Sequence, residues 1–340
     1  MRKSISVKEI ARLAEVTHPT VSRALRNSPL ISQATAERIQ RIAADHGYQP
    51  NRNARGLVTR QTNLIGCVVS DIADPFVAEV IGGLERVAAE HDFSLILTHC
   101  GGDPQREMRA VRSLVERAVD GVLVIAAMAG GENSPYLLER EIPIVLINNH
   151  YPDNNVHCVG IANADGGKQV TKHLLDLGHR RIAYIRNRWG GEADKDRYRG
   201  YRTALSEGHV RYIPGLVIYA QSSLEGGQHG MERLLRLPSP PTAVFCFDDV
   251  TAFGACKAIR DAGLRIPADI SVAGFDDLMV SAYFEPALTT IRQPMREMGS
   301  QAMHLLLELI PQIRNGKMPK KKQIILPGKL LVRRSTARIS

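Results

Sequence analysis

From residue 64 onward the chain alternates short apolar runs with longer amphipathic stretches, and few folds satisfy that alternation. Strand-like runs lie at 65–69, 93–98, 121–125 and 144–147, with a second set at 182–185, 216–219, 243–247 and 270–273. Between them, segments such as 76–89, 105–117, 167–177 and 252–261 carry apolar residues at helical spacing. Strands that are apolar throughout must be covered on both faces, so the pattern predicts parallel sheets flanked by helices. Eight strands in two sets of four, dividing near Ala162, predict an α/β domain of two similar lobes with a cleft between them. Ligands of such sheets bind beyond the carboxyl ends of the strands.

The first 60 residues follow a different grammar. They hold eleven Lys and Arg against four acidic residues, a net +7 out of the chain's +9. Charge concentrated at one end, in a patterned segment, points to a polyanionic partner there. Ser6 with Glu9 three residues on forms a capping box for a first helix striped by Val7, Ile10, Ala11 and Ala14. A second helix starts at Thr17, tolerates Pro19 in its first turn and aligns Val21, Ala24 and Leu25. Ala14-Glu15-Val16 between them is a turn short enough to force a sharp angle. Ser32 caps a third helix whose Ala36, Ile39, Ile42 and Ala43 face inward and which Gly47 ends. The expected fold class is therefore a small all-α helix-turn-helix domain (1–49), a short hinge helix or linker (50–60), and a two-lobed α/β domain (61–340). The first lobe is expected to take 61–162 plus 293–322, the second 163–292 plus 323–340.

The segment Val16-Thr17-His18-Pro19-Thr20-Val21-Ser22-Arg23-Ala24-Leu25 resembles the recognition helix of the LacI/GalR family of bacterial transcriptional regulators. Gly47-Tyr48-Gln49-Pro50-Asn51 and Ala54-Arg55-Gly56-Leu57 resemble that family's hinge. Ile65-Gly66, Asp120-Gly121, Gly178-His179-Arg180, Arg197 with Gly200-Tyr201, Pro241-Thr242-Ala243, Gly274-Phe275-Asp276-Asp277 and Leu288-Thr289-Thr290-Ile291 match its core in order. The resemblance covers essentially the whole chain and implies a periplasmic-binding-protein-like sensor domain, in a regulator of the sugar- or gluconate-responsive type.

On that resemblance Thr17, Thr20 and Ser22 approach phosphates, His18 and Pro19 face base edges, and Arg23 is suited to pair with a guanine. Ser6, the cap of the first helix, joins this DNA-contacting set. Leu57 of each subunit would enter the minor groove, with Asn51, Arg52 and Arg55 on phosphates. The same resemblance makes Arg197 and Asp276 the effector-binding pair on the second lobe and Phe76 an aromatic wall on the first. Asn148, Asp248 and the loop Arg186-Asn187-Arg188-Trp189 depart from the residues many relatives carry. Asn148, Trp189 and Asp248 therefore join the effector candidates. Extra arginines favour an acidic ligand and Asp248 favours hydroxyls, so the expected effector is a sugar or sugar acid.

Other classes explain less. The chain has no GxSxG elbow, P-loop or HExxH, so no enzyme activity, cofactor or metal is expected. Cys67, Cys100, Cys158, Cys246 and Cys256 share no CxxC spacing and read as packing residues. No run approaches the roughly 18 apolar residues of a membrane span, and the amino terminus has no secretory pattern. A cytoplasmic homodimer on a pseudo-palindromic operator is expected, because 331–340 carries no leucine heptad that would make a tetramer. The alternative is a two-lobed small-molecule-binding protein without a regulatory DNA role.

Overall fold

The computed structural model describes residues 5–25, 28–48, 61–125, 136–137, 139–148 and 156–339. The chain divides into two compact units, Met1–Thr62 and Asn63–Ser340.

The first unit is built from α1 (Val7–Leu13), α2 (His18–Ala24) and α3 (Gln33–Asp45). Ile10, Ala11, Ala14, Val21, Ala24, Ile39 and Ala43 form its core. So small a core needs its polar backbone ends closed. The expected capping box is present: Glu9 N donates to Ser6 Oγ at 3.3 Å and Ser6 N to Glu9 Oε2 at 2.7 Å. Arg38 Nη2 donates to Ala14 O at 2.8 Å and Gln40 Nε2 to Ala24 O at 3.2 Å, so α3 satisfies carbonyls at the ends of α1 and α2. The tight α1–α2 turn places Glu15 at φ 52°, and Gly47 at φ 62° follows α3.

In the second unit the first lobe runs β1 (Leu64–Val69), α4 (Pro75–Glu90), β2 (Ser94–His99), α5 (Pro104–Glu116), β3 (Gly121–Ile125), β4 (Ile144–Ile147) and β5 (His157–Ile161). The second lobe runs α6 (Asn163–Asp176), β6 (Ile182–Asn187), α7 (Gly191–Glu207), β7 (Val217–Ala220), α8 (Leu224–Leu235), β8 (Ala243–Cys246), α9 (Asp249–Asp261) and β9 (Ser271–Ala273). The chain continues through β10 (Thr290–Arg292), α10 (Met295–Arg314), β11 (Gln323–Leu326) and β12 (Lys329–Leu331). The sheets are ordered β2-β1-β3-β4-β5-β11 and β7-β6-β8-β9, each parallel throughout, while β10 and β12 pair antiparallel. Both sheets begin with the same inner-strand, outer-strand, inner-strand order, whose switch point lies between β1 and β3 in one and between β6 and β8 in the other.

Period-two alternation sorts the strand residues onto two faces. Ile65, Cys67 and Val69 pack with α4 and α10, while Val68, Val122 and Val124 pack with α5. The second sheet packs Ala183, Ile185, Val244 and Cys246 under α8 and α9, and Ile182, Tyr184, Ala243 and Phe245 under α6 and α7.

The first sheet has six strands, not the four expected. The extra pair is β5, whose His157 and Gly160 interrupt an apolar run, and β11, an edge strand with alternating exposure. The expected assignment of 323–340 to the second lobe is corrected accordingly: β11 pairs in register with β5, Gln323 opposite Cys158 and Leu326 opposite Ile161. Only after it does the chain return, where Val272 N donates to Ser335 O at 2.8 Å.

Helix pairs close through reciprocal glycines. A methyl group on Gly167 of α6 would collide with the carbonyl of Arg197 on α7, and one on Gly200 of α7 with that of Ala164 on α6. Gly227 with Gly254, and Gly83 with Gly299, repeat the arrangement for α8–α9 and α4–α10. Backbones this close fix where α7, and with it Arg197, must lie.

Candidate functional site

In the helical unit, Thr17, His18, Pro19 and Arg23 are exposed and Thr20 and Ser22 half-exposed along one side of α2. The other side supplies Val21 and Ala24 to the core, so amphipathicity alone aims these polar side chains at solvent. Thr17 and Thr20 hydroxyls hydrogen-bond each other at 2.9 Å. Ser6 is exposed but engaged in the capping box. Asn51, Arg52, Arg55 and Leu57 lie outside the described residues.

In the α/β unit, the candidate effector residues follow the carboxyl ends of strands. Arg197 on α7 is 1% exposed. Its Nε donates to Asn163 Oδ1 at 2.8 Å and its Nη1 to Phe247 O at 2.6 Å. The guanidinium lies over the rings of Phe275 and Phe247, at 3.7 and 4.4 Å from their centroids. Asp276 sits 3.9 Å from Arg197 Nη1 and accepts a hydrogen bond from Gln293 Nε2. Burial pushes the Asp276 carboxyl well above its ordinary range, against the lowering effect of Arg197. Backbone geometry at Asp276 is unusual, with φ 130°.

Asp248 caps α9, accepting from Thr251 N at 2.7 Å and from the Ser222 hydroxyl. Asp249 is fully buried and accepts from Leu278 N at 2.9 Å, Ser281 Oγ at 2.5 Å and Thr290 Oγ1 at 2.6 Å. These bonds tie 278–290 to α9, which is a structural task. Asn148 follows β4 at φ 59°, and its buried Oδ1 has no hydrogen-bond partner among the described residues. Gln293 Oε1 shares that condition and, unlike Asn148, is tied to Asp276 through its own Nε2, so at least this acceptor stands at the Arg197–Asp276 pair for a polar ligand to satisfy.

Two expected residues, Phe76 and Trp189, and one arginine of the loop that carries Trp189 sit differently from the rest of the set. Phe76 is buried in the first lobe's core, a cluster that also takes in Leu278 from the second lobe. Trp189 is 60% exposed and lines a depression to which neither Arg197 nor Asp276 contributes. Arg186, part of the arginine-rich loop, is already held by Asp194, with Nε to Oδ2 at 2.9 Å.

Sequence reasoning passed over Asn163, Asp194 and Gln293, which earn their place only through long-range folding. It also passed over Asp74, although Asp-Pro before an amphipathic stretch is a helix start. Asp74 caps α4, accepting from Phe76 N at 2.9 Å. Its carboxyl is pushed up to about 6 by burial, against the Phe76 backbone hydrogen bond, with repulsion from Asp248 and Asp71 adding to the rise. Asp74 belongs to the first lobe and Asp248 to the second, so the carboxyl ends of the two sheets face each other.

A raised carboxyl binds protons more tightly in the folded state, so charge on Asp74 costs stability above about pH 6, and the cost vanishes below about pH 4. Asparagine caps a helix as well as aspartate. Asp74→Asn should therefore melt above the parent protein near neutrality, with the difference shrinking as pH falls through about 6. A melting difference independent of pH would show that burial and its acidic neighbours do not hold the Asp74 carboxyl above its ordinary range.

Comparison with known proteins places this geometry. Residues 6–51 match the bacterial regulatory proteins of the lacI family, and residues 171–336 match the periplasmic binding protein-like domain. The ribose operon repressor of Haemophilus influenzae is 37% identical over 90% of this chain and 92% of its own. The chain belongs to the LacI family. The DegA regulator of Bacillus subtilis is 33% identical over 98% of both chains. The lac repressor dimer bound to operator and the anti-inducer ONPF superposes with a TM-score of 0.88, at 26% identity, over 98% of this chain and 100% of that one. A LacI-family regulator from Enterococcus faecium with bound ribose gives 0.73 at 28% identity, covering 82% and 100%.

This LacI-family chain is thus a DNA-binding transcriptional regulator with a helix-turn-helix unit and a two-lobed α/β sensor unit. The relatives named are regulators rather than enzymes. No helix among the described residues is long and apolar enough to cross a membrane. All five cysteines are buried and free.

Proposed function

We propose that this regulator is a cytoplasmic, dimeric repressor whose operator affinity is set by a neutral sugar bound between the lobes. The observation that carries the effector reading is the buried Arg197–Asp276 pair at the carboxyl ends of the second sheet, where Gln293, bonded to Asp276, keeps a buried acceptor without a partner among the described residues. Arg197, Asp248, Asp276 and Asn148 would hold the ligand's hydroxyls, with Phe76 beneath. Asp276 already stands 3.9 Å from the single buried arginine there, and Asp74 and Asp248 add further carboxyls. Arg186 is engaged by Asp194, so the balance of charge disfavours a sugar acid. Ribose in the Enterococcus faecium relative and the Haemophilus influenzae ribose operon repressor support the sugar class.

A dimer is supported by exposed apolar residues in the turn after β9, where Met279 is 80%, Val280 50% and Tyr283 85% exposed. Burial of such a surface is the ordinary source of association energy. Two reading heads would then face a pseudo-palindromic site, as one head alone buries too little for tight specificity. The lac repressor dimer on its operator supports this arrangement.

The DNA half is tested at Arg23, exposed on α2 and without an ion pair among the described residues. Arg23→Ala should weaken operator binding by about 1–3 kcal/mol and relax preference at one guanine per half-site. Gel-shift titration against operator and random duplexes measures both. Equal loss on the two duplexes would remove the base contact from this residue.

A further inference from the structure

On the outer edge of the second lobe, β7, one side of α8 along most of its length and the turn after β6 enclose a depression of about 570 Å³. That volume is in the range that small metabolites occupy. Arg188, Trp189, Tyr219, Glu225, His229 and Arg233 line it, and none of Arg197, Asp248 or Asp276 does. Trp189 and Tyr219 present 60% and 49% of their surface to solvent, and the Arg186 guanidinium, 4.7 Å from the Tyr219 centroid, stacks on that ring. Neither Arg188 nor Arg233 makes an ion pair among the described residues. Glu225 is the one acid in the lining, so two guanidiniums face one carboxylate.

The walls are held in place before any ligand arrives. Arg186 Nη1 donates to Tyr219 Oη at 2.7 Å and is itself fixed by Asp194. Arg188 N donates to Ala220 O at 2.8 Å, and Trp189 N to Asn187 Oδ1 at 3.0 Å, so the turn that carries Arg188 and Trp189 is fastened to the end of β7. Aromatic faces for a ring beside unpaired guanidiniums for an oxyanion form a recognisable pairing. A fixed site loses less entropy on binding.

We propose that this depression is a second small-molecule site, separate from the effector cleft, for a phosphomonoester carried on a ring. Arg188 and Arg233 hold the phosphate, and Trp189 and Tyr219 pack on the ring, whether sugar or base. Glu225 accepts from a ring hydroxyl or amino group. A neutral sugar lacks the group the arginines require, and bare phosphate lacks the ring.

Trp189 is the only tryptophan in the chain, so intrinsic fluorescence reads this site directly. The full-length protein is titrated with ribose 5-phosphate, adenosine monophosphate, inorganic phosphate and ribose. The expected result is a saturable change in emission with at least one of the two phosphomonoesters, and which of them acts identifies the ring. Inorganic phosphate and ribose should each act at least about tenfold more weakly. Arg188→Ala and Arg233→Ala should each raise the apparent Kd about tenfold while leaving operator affinity unchanged. Asp276→Asn, which alters the cleft, should leave the titration as it was. No saturable change with either phosphomonoester would overturn the proposal. So would equal responses to phosphate alone, or loss of the response in Asp276→Asn, which would return Trp189 to the cleft.

Discussion

Gly200→Ala should destabilise the sensor unit by at least about 2–3 kcal/mol, although it adds one methyl group. Alanine is normally the better helix former, by up to about 1 kcal/mol. Here the added carbon would collide with the carbonyl of Ala164 and crowd Lys168 N, which are backbone atoms with no rotamer to change. The only relief is for α6 and α7 to move apart, which opens the core around Tyr201, Leu174 and Ala204. It also strains the bond from Arg197 Nε to Asn163, which spans the same two helices. Stability and effector affinity should therefore fall together. Gly215→Ala is the control, because no atom stands within 4 Å of the added carbon. Its effect should lie within about 0.5 kcal/mol. Urea denaturation of both variants measures the difference. Equal behaviour would show that the helix pair tolerates a wider separation than this packing implies.

Much of this architecture was legible in the sequence because it rests on local pattern. The capping box at Ser6 and Glu9, the stop at Gly47 and the apolar strands of both sheets follow from spacing alone. β5 and β11 did not, because neither is a continuous apolar run. One is interrupted by His157 and Gly160, and the other reads as an exposed strand after a lysine-rich stretch. Strand β11 becomes recognisable only when the first sheet offers it an edge. The candidate site divides in the same way. Arg197 and Asp276 stand in motifs and could be named from resemblance. Gln293, which bonds Asp276, comes from the crossing after β10, and Asp194 matters only because α7 folds back on Arg186. The loop at 186–189 shows the limit of residue-type reasoning. Its arginines suggested an acidic effector, yet one is consumed by Asp194 and another lines the outer depression.

Arg197→Ala should abolish the effector response and also lower stability, with a loss that grows as pH rises. The side chain is almost fully buried, so its removal leaves a cavity between Phe247 and Phe275 and two acceptors, Asn163 Oδ1 and Phe247 O, without their donor. Breaking a buried ion pair by removing one partner costs about 3–5 kcal/mol when the remaining charge cannot neutralise. Asp276 has an escape, since burial already raises its carboxyl well above the ordinary range and Arg197 is the main group pulling it down. Without Arg197 the folded state should hold that proton to still higher pH, while the unfolded chain releases it in the usual carboxylate range. Folding then takes up a proton across the interval between, so the variant's stability declines as pH rises through it. At low pH the loss should shrink to the cavity and the two orphaned acceptors. Arg197→Lys separates charge from geometry. Lysine keeps the positive charge near Asp276 and should restore most of the high-pH stability, yet its single ammonium cannot serve Asn163, Phe247 O and a ligand together. Thermal unfolding across pH, with ligand-dependent gel shifts at one pH, reads both effects. A full effector response in either variant would move the sugar site away from Arg197. A pH-independent loss in Arg197→Ala would mean that Asp276 finds another counter-charge when its partner is gone.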